Sequence, residues 1–436
     1  MYDFRAAISV NSDYQVIVAG GGPAGCAAAA AAAREGAKTL LIESTSALGG
    51  MGTNGLVPFW CGFANGGELC STGIGKKVLY ALQERMPLVK KGEKGGPIDA
   101  EALKRVYDEL VTGYGADVLF DTMISAADTD ENGRVKAVIV SNKAGLTAYT
   151  AKVFVDCTGD ADLTAFAGGE FELGDERGEM QCATMCFTLA NVNMDEYAKI
   201  KTHRVIYPNG GEYPLIVDDH CVTAPVGPGA IGFNAGSLYG VNGTDPLDVS
   251  NTLIKGRRLV EQIVDCIKKE LPEAYENAFL VKTQDTLGIR EGRRIKGDYK
   301  LCSEDYHSRR VFPDEIARNC YNFDCHETPT ELEMIRKGIP LPYKPEEMVY
   351  SPGESHGIPY RSLVPEKLKN VIVAGRCICA ERRMQGTTRV MATCLSTGEA
   401  AGIAAAHAVD MNEPNMHSVD VDRLRARLRE EGAYIL

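Results

Sequence analysis

The sequence predicts an α/β fold, a parallel sheet flanked by helices and interrupted by an α+β region. Two stretches, and the change of texture between them, carry that expectation. Tyr14 to Glu43 reads YQVIVAGGGPAGCAAAAAAAREGAKTLLIE: an apolar run, a glycine turn, an alanine-rich helical segment and a second apolar run. Asn370 to Ala406 repeats the order of apolar run, glycine turn and Ala/Gly-rich helix. Between Gly168 and Pro365, short strand-like pieces mix with loops instead.

Each part of the first stretch has a physical job. Val16 to Ala19 is a short apolar strand. Gly20 permits a tight turn, Gly22 lets backbone approach a pyrophosphate, and Gly25 lets helix and strand pack closely. The helix opening at Pro23 and Ala24 offers free N–H groups and a positive dipole end to phosphates. Glu43, 18 residues past Gly25, sits where an acid accepts hydrogen bonds from an adenosine ribose. Together these make a dinucleotide-binding unit. Gly227 to Gly232 has the same glycine spacing, but turn formers and aromatics follow it in place of a helix, so no second unit is expected there.

The rest of the chain follows in order. Ser44 to Gly55 is a loop whose glycines, Gly50 beside Met51 among them, continue along the pyrophosphate. Asp99 caps a helix with apolar residues at i, i+3, i+4 spacing, and Val118 to Phe120 reads as a short buried strand. Val135 to Val140 and Ala148 to Val155 flank the turn formers Asn142 to Gly145, which predicts a hairpin or meander. The second of these strands runs on into Thr158, Gly159 and Asp162. Met185 to Leu189, Tyr213 to Val217 and Cys221 to Val226 read as strands, and Asp248 to Leu271 as a helix stopped by Pro272. A last strand ends at Gly375 and Arg376, and Thr388 to Val409 reads as one long helix. The expected division is a nucleotide domain from residues 1–167 and 366–436, with a substrate domain inserted at 168–365.

Composition narrows the function. A length of 436 residues suffices for two or three domains, and a net charge of −12 argues against nucleic acid as a partner. No apolar run reaches the roughly 18 residues that span a bilayer, and the first residues lack a basic start followed by an apolar block. Those readings give a cytoplasmic protein with no membrane partner. The fourteen cysteines are scattered through core-like segments with no C-x-x-C pair, so no metal site is expected.

These pieces together resemble the glutathione-reductase-like flavoproteins, and most closely the FAD-dependent oxidoreductases related to fumarate reductase flavoproteins and thiazole-synthesis enzymes. The residues carrying the resemblance are GGGPAG with Glu43, LGGMGTNG (48–55), VDCTGDADL (155–163), LGIREGRRIKGDYKL (287–301), IPYRSLVP (358–365) and the segment 371–406. The resemblance implies an FAD-binding Rossmann domain with an inserted α+β substrate domain. It implies FAD held by Gly20, Gly22, Pro23, Ala24, Gly25, Glu43, Ser44, Gly50, Met51, Thr158, Gly159, Asp162, Gly375, Arg376, Arg389, Val390 and Met391. Free N–H groups of Val390 and Met391 would meet the flavin N1/O2 edge, where a dipole worth about half a unit charge favours the anionic reduced ring. Within this resemblance the loop at Glu381 to Gln385 departs from the common pattern of a small or aromatic residue. Cys320 and Cys325 have the spacing of the redox pair of flavin disulfide reductases, but lie far downstream of the first nucleotide unit, where such a pair does not belong.

Protein groups must then orient a substrate and manage protons. Asp324 with His326, and His356 with Arg361, are the candidate catalytic segments, since a histidine titrates near neutrality and an arginine fork matches a carboxylate. Arg290, Arg361, Arg376 and Arg389 concentrate positive charge in an acidic chain and suggest a small anionic substrate, a carboxylate. The expected activity is hydride transfer between that substrate and flavin N5, with a separate electron donor or acceptor and possible homo-oligomer formation. The alternatives are a monooxygenase or oxidase using O2, and a flavin-binding subunit of a larger electron-transfer or tRNA-modifying assembly.

Overall fold

The computed structural model describes residues 6–207, 211–341 and 349–436. At its centre five parallel strands lie in the order Val371–Val373, Val153–Asp156, Val16–Ala19, Thr39–Ile42, Asp117–Leu119. All residues of the first four strands are buried, which is why the sequence runs apolar there without alternation. Chain order reverses at Val16–Ala19, so the crevice for a ligand opens beyond the carboxyl ends of that strand and of Val153–Asp156.

Pro23–Arg34 is the alanine helix, and its residues Ala24 to Ala32 are all buried. It packs on the helix Met391–Val409 at the closest approach that backbone allows. A methyl added at Gly398 would stand 2.1 Å from the Ala24 carbonyl oxygen, and one at Gly402 would stand 2.2 Å from that of Ala28. The alanine run and the late glycines are therefore two halves of one helix–helix contact.

Several sequence expectations shift at element ends. Asp99 caps Ala100–Gly113 as read, accepting from the Glu101 and Ala102 N–H groups. The expected strand at 148–155 splits: Gly145–Thr150 pairs with Val135–Asn142 in an outer meander, and Val153–Asp156 joins the central sheet. The helix expected from Asp248 starts at Pro246, because Asp245 caps it by accepting from Leu247 and Asp248. Thr388 to Val409 is two helices, Arg382–Thr388 and Met391–Val409, with Val390 extended between them. Tyr213 to Val217 is irregular, since Pro214 has no N–H to give a sheet. The Gly227 to Gly232 motif is a hairpin turn and the start of its return strand, with Gly229 at φ +69°.

The interrupting region builds an antiparallel sheet in the order Cys221–Gly227, Ala230–Ala235, Phe187–Ala190, Phe279–Thr283, backed by the helix Pro246–Glu270. Its core runs from Ala183 to Leu287 and includes Phe187 stacked on Phe233 at 4.6 Å. Tyr306, Phe312, Phe323, Tyr350, Ile358 and Leu363 instead bury themselves in the core of the nucleotide unit. The stretch after Ile295, though different in texture, thus packs with that unit.

Candidate active site

A cavity of about 760 Å³ lies at the carboxyl ends of the parallel strands. Its lining joins Gly20, Gly22, Pro23, Ala24, Glu43 and Ser44 of the first unit to Thr158, Gly159, Gly375 and Arg376. Gly50, Met51, Asp162, Arg389, Val390 and Met391 line it as well, and beyond them come His220, Asn234, Arg290, Asp324 and His326. Among the residues expected to hold FAD only Gly25 is off the lining, and its reason is mechanical. A methyl there would stand 1.8 Å from the Gly20 carbonyl oxygen.

The turn is built as the spacing requires. Gly20 has φ +90°, and a methyl on it would meet the Cys157 carbonyl oxygen at 2.6 Å, so the two adjacent turns interlock. At Gly22 a methyl would meet nothing within 4 Å, which leaves the space over the helix N-terminus open. That helix has no side-chain cap, and neither does Met391–Val409, so both present unsatisfied N–H groups to the cavity. The Glu43 carboxylate accepts from the Gly21 N–H at 2.6 Å and from the Thr45 N–H and hydroxyl at 2.7 Å each. Asp156 fixes the second turn, accepting from the Thr158 hydroxyl at 2.8 Å and the Thr164 hydroxyl at 2.7 Å. Arg376 donates to Asp160 at 2.9 Å and Arg293 to Asp162 at 2.7 Å. Burial, then the carboxylates of Asp160 and Asp156, push Asp162 up to about 6 despite Arg293. Asp160 Oδ1, Arg376 Nε and Arg389 Nε are buried without a partner. Open space over a glycine turn, two uncapped helix ends and unspent polar atoms are what an extended dinucleotide requires.

At the other end of the lining, polar groups converge from distant segments. Arg389 donates to the Asp324 carbonyl at 2.8 Å and to its carboxylate at 3.2 Å, and His326 Nε2 lies 3.3 Å from Asp324 Oδ1. Burial alone would raise Asp324, but Arg389 and His326 hold its carboxyl well below the usual range. Burial first and Arg290 second hold His326 down to about 3, outweighing Asp324. The His220 ring meets His326 edge-on at 5.1 Å and is lowered by burial and Arg290 in the same way. Arg290 Nη2 lies 3.2 Å from His220 Nε2, and Nη1 donates to the Cys182 carbonyl at 2.8 Å. A guanidinium only donates, so His220 Nε2 is the acceptor and its proton sits on Nδ1. Arg290 is 7% exposed, and no carboxylate among the described residues is within ion-pair distance of it.

Two of the residues expected to be catalytic, His356 and Arg361, do not line the cavity. His356 is fully buried beside Tyr306, its Nδ1 bonded to the Tyr350 hydroxyl at 2.7 Å, and it does not line the cavity. Arg361 is 46% exposed in its side chain, forked onto Asp314 at 2.8 and 3.2 Å and laid over Tyr299. The cause is the strand pair Glu315–Asn319 with His356–Pro359, which carries IPYR into the core and out to the surface away from the crevice. His220, Asn234 and Tyr321, which the sequence did not single out, line the cavity instead. All fourteen cysteines are thiols, Cys320 and Cys325 included.

The profile of the FAD dependent oxidoreductase family matches residues 15–428. The chain belongs to that family. FAD is its cofactor. This FAD-dependent oxidoreductase is also similar, at low identity, to solved structures. A geranylgeranyl bacteriochlorophyll reductase-like protein from Thermoplasma acidophilum is 14% identical, with a TM-score of 0.46 over 99% of this chain and 93% of that one. The p-nitrophenol 4-monooxygenase of Pseudomonas putida is 15% identical, with a TM-score of 0.38 over 67% of this chain and 70% of its own. The anhydrotetracycline hydroxylase of Streptomyces rimosus is 14% identical, with a TM-score of 0.39 over 66% and 54%. No curated protein sequence matches. Among the described residues no helix is long and apolar enough to cross a membrane.

Proposed function

We propose that this oxidoreductase works as a dehydrogenase or reductase on a small organic substrate bearing a carboxylate. Bound FAD supplies hydride acceptance or donation at flavin N5. Gly20, Gly22, Pro23 and Ala24 would hold its pyrophosphate, Glu43 and Ser44 its ribose, and Gly50 and Met51 the adjoining stretch. Thr158, Gly159, Asp162, Gly375 and Arg376 would line its middle, and the Val390 and Met391 N–H groups would face its ring. The chain's own proton work falls to Asp324 and His326. With Nε2–H directed to Asp324, His326 keeps Nδ1 as a base, takes a substrate proton during oxidation and returns it in the reverse direction. Asp324 fixes that tautomer, and a substrate carboxylate paired with Arg290 would offset the cation that helps hold the ring neutral, so that the imidazolium can form.

The observation carrying the substrate class is Arg290. Arg290 is buried with no direct ion-pair partner among the described residues, the Asp324 and Glu327 carboxylates acting on it only at longer range, and a substrate carboxylate seated on its fork would supply the missing pair. The His220 contact leaves the remaining N–H groups of the fork to do so. The test is anaerobic mixing of the FAD-loaded enzyme with matched acids and amides, read as bleaching of the visible flavin band. Acids should reduce the flavin at least about a hundredfold faster. Equal rates for acid and amide would sink the assignment.

A further inference from the structure

A second cavity, of about 600 Å³, shares no lining residue with the first. It is bordered by the helices Pro246–Glu270 and Pro329–Arg336. Leu215, Val217 and Leu332 give it an apolar wall, and Ser237 and Tyr239 contribute hydroxyl groups. Its volume lies inside the range of small-molecule sites, about 300–1,000 Å³. One short loop separates it from the flavin cavity, with Val217 lining one and His220 the other.

Charge tells what it would hold. Lys255 and Arg336 are exposed lining residues, and neither has a carboxylate within ion-pair distance among the described residues. Lys337, in the same lining, is different, being paired with Glu333 at 2.6 Å. Arg336 spends one nitrogen on the Val217 carbonyl at 3.3 Å and keeps its other donors. Tyr239 donates its hydroxyl proton to Asp218 at 2.9 Å and so has no donor left for an anion, which leaves the charged head to Lys255 and Arg336. Two cations without an ion pair stand beside an apolar wall, against one lining carboxylate, Glu333, that Lys337 already engages, in a chain of net charge −12.

We infer that this cavity binds a small organic anion, its apolar body against Leu215 and Leu332 and its charged head between Lys255 and Arg336. The site is independent of which substrate reaches the flavin. The probe is 8-anilinonaphthalene-1-sulfonate, an aromatic body with a sulfonate head, titrated into the FAD-loaded enzyme and read by its fluorescence. Saturable binding should weaken about tenfold or more in the double variant Lys255→Glu/Arg336→Glu. A similar loss is expected in Leu332→Trp, which fills the apolar half. Lys94→Glu, at an exposed residue that lines neither cavity, should leave the affinity unchanged, and the flavin band should be the same in all variants. Three results overturn the inference: no saturable binding to the parent, binding within twofold of the parent in the double variant, or equal loss in Lys94→Glu.

Discussion

Gly398→Ala sets two effects against each other with opposite signs. Gly398 is inside the helix Met391–Val409, where replacing glycine by alanine ordinarily stabilises by up to about 1 kcal/mol. Its added methyl, however, would stand 2.1 Å from the Ala24 carbonyl oxygen and 2.8 Å from the Ala24 Cα. That is about 1.3 Å short of the 3.4 Å at which ordinary contact begins, and the obstacle is helix backbone rather than the end of a flexible side chain. Overpacking of this kind costs about 1–3 kcal/mol, and with backbone on both sides the upper half of that range applies. The expected net effect is a loss of about 1–2 kcal/mol, read as a lower urea midpoint with an unchanged slope.

The same displacement reaches the cofactor. Ala24 and Met391 both line the cavity, so forcing their helices apart moves both uncapped ends away from FAD. Flavin affinity should fall alongside stability in Gly398→Ala and in Gly402→Ala, whose methyl would meet the Ala28 oxygen at 2.2 Å. Gly113→Ala is the control, because a methyl there meets nothing within 4 Å. It should range from neutral to about 1 kcal/mol stabilising. If Gly398→Ala behaved like Gly113→Ala, the account of the alanine run as one half of a close-packed helix pair would be wrong.

Gly25→Ala should yield protein that retains no FAD on gel filtration, since the methyl would lie 1.8 Å from the Gly20 carbonyl. Asp324→Asn should keep the flavin spectrum and slow flavin reduction about a hundredfold or more, by removing the partner of His326 and Arg389. Arg361→Ala, which breaks a surface pair with Asp314, should cost no more than about 1 kcal/mol and leave flavin reduction unchanged. His356 supplies a pH test. Burial, then Arg318, hold it down to about 3, below the ordinary 6.5. The unfolded chain therefore binds the extra proton in that window, so stability is lost as pH falls from 6.5 towards about 3, by up to about 1.4 kcal/mol per pH unit. His356→Phe should flatten urea midpoints measured across that window by nearly one proton's share; an unchanged slope would mean the ring is already charged in the fold.

What the sequence made legible was what local backbone demands. A turn that needs φ +90° at Gly20, a helix that must press on that turn at Gly25, and an acid at the end of the next strand fall within one short stretch. The break at Arg389 and Val390 was not legible, because no proline interrupts Thr388 to Val409 and only the tertiary fold turns Val390 into an extended residue. The strand at 148–155 was misjudged for a related reason. Its apolar pattern is continuous, and which sheet each half joins is decided by partners far away in sequence.

Catalytic residues lack such a local signature, and the outcome for the histidines shows why. His356 stands two residues ahead of the IPYR motif that helps carry the family resemblance, yet its ring ends in an aromatic core against Tyr306 and Tyr350. His220 sits just ahead of an ordinary strand with nothing around it to mark a site, yet its ring reaches Arg290 from a segment 70 residues away. What brings it there is the inserted sheet, whose strand Cys221–Gly227 positions the preceding loop and whose neighbour Ala230–Ala235 supplies Asn234. Asp324, His326 and Arg389 come from segments that pack with the nucleotide unit, so the substrate end is a seam between two cores. Substitutions in the inserted sheet should therefore alter which acids reduce the flavin while leaving flavin affinity alone, and His220→Asn is the sharpest case. It takes away the acceptor that aims Arg290 while leaving Asp324, His326 and every residue of the glycine turns in place. An increase in KM for the acid with little change in kcat is the expected result, and a loss of bound FAD would mean that the two ends of the cavity are not separable in this way.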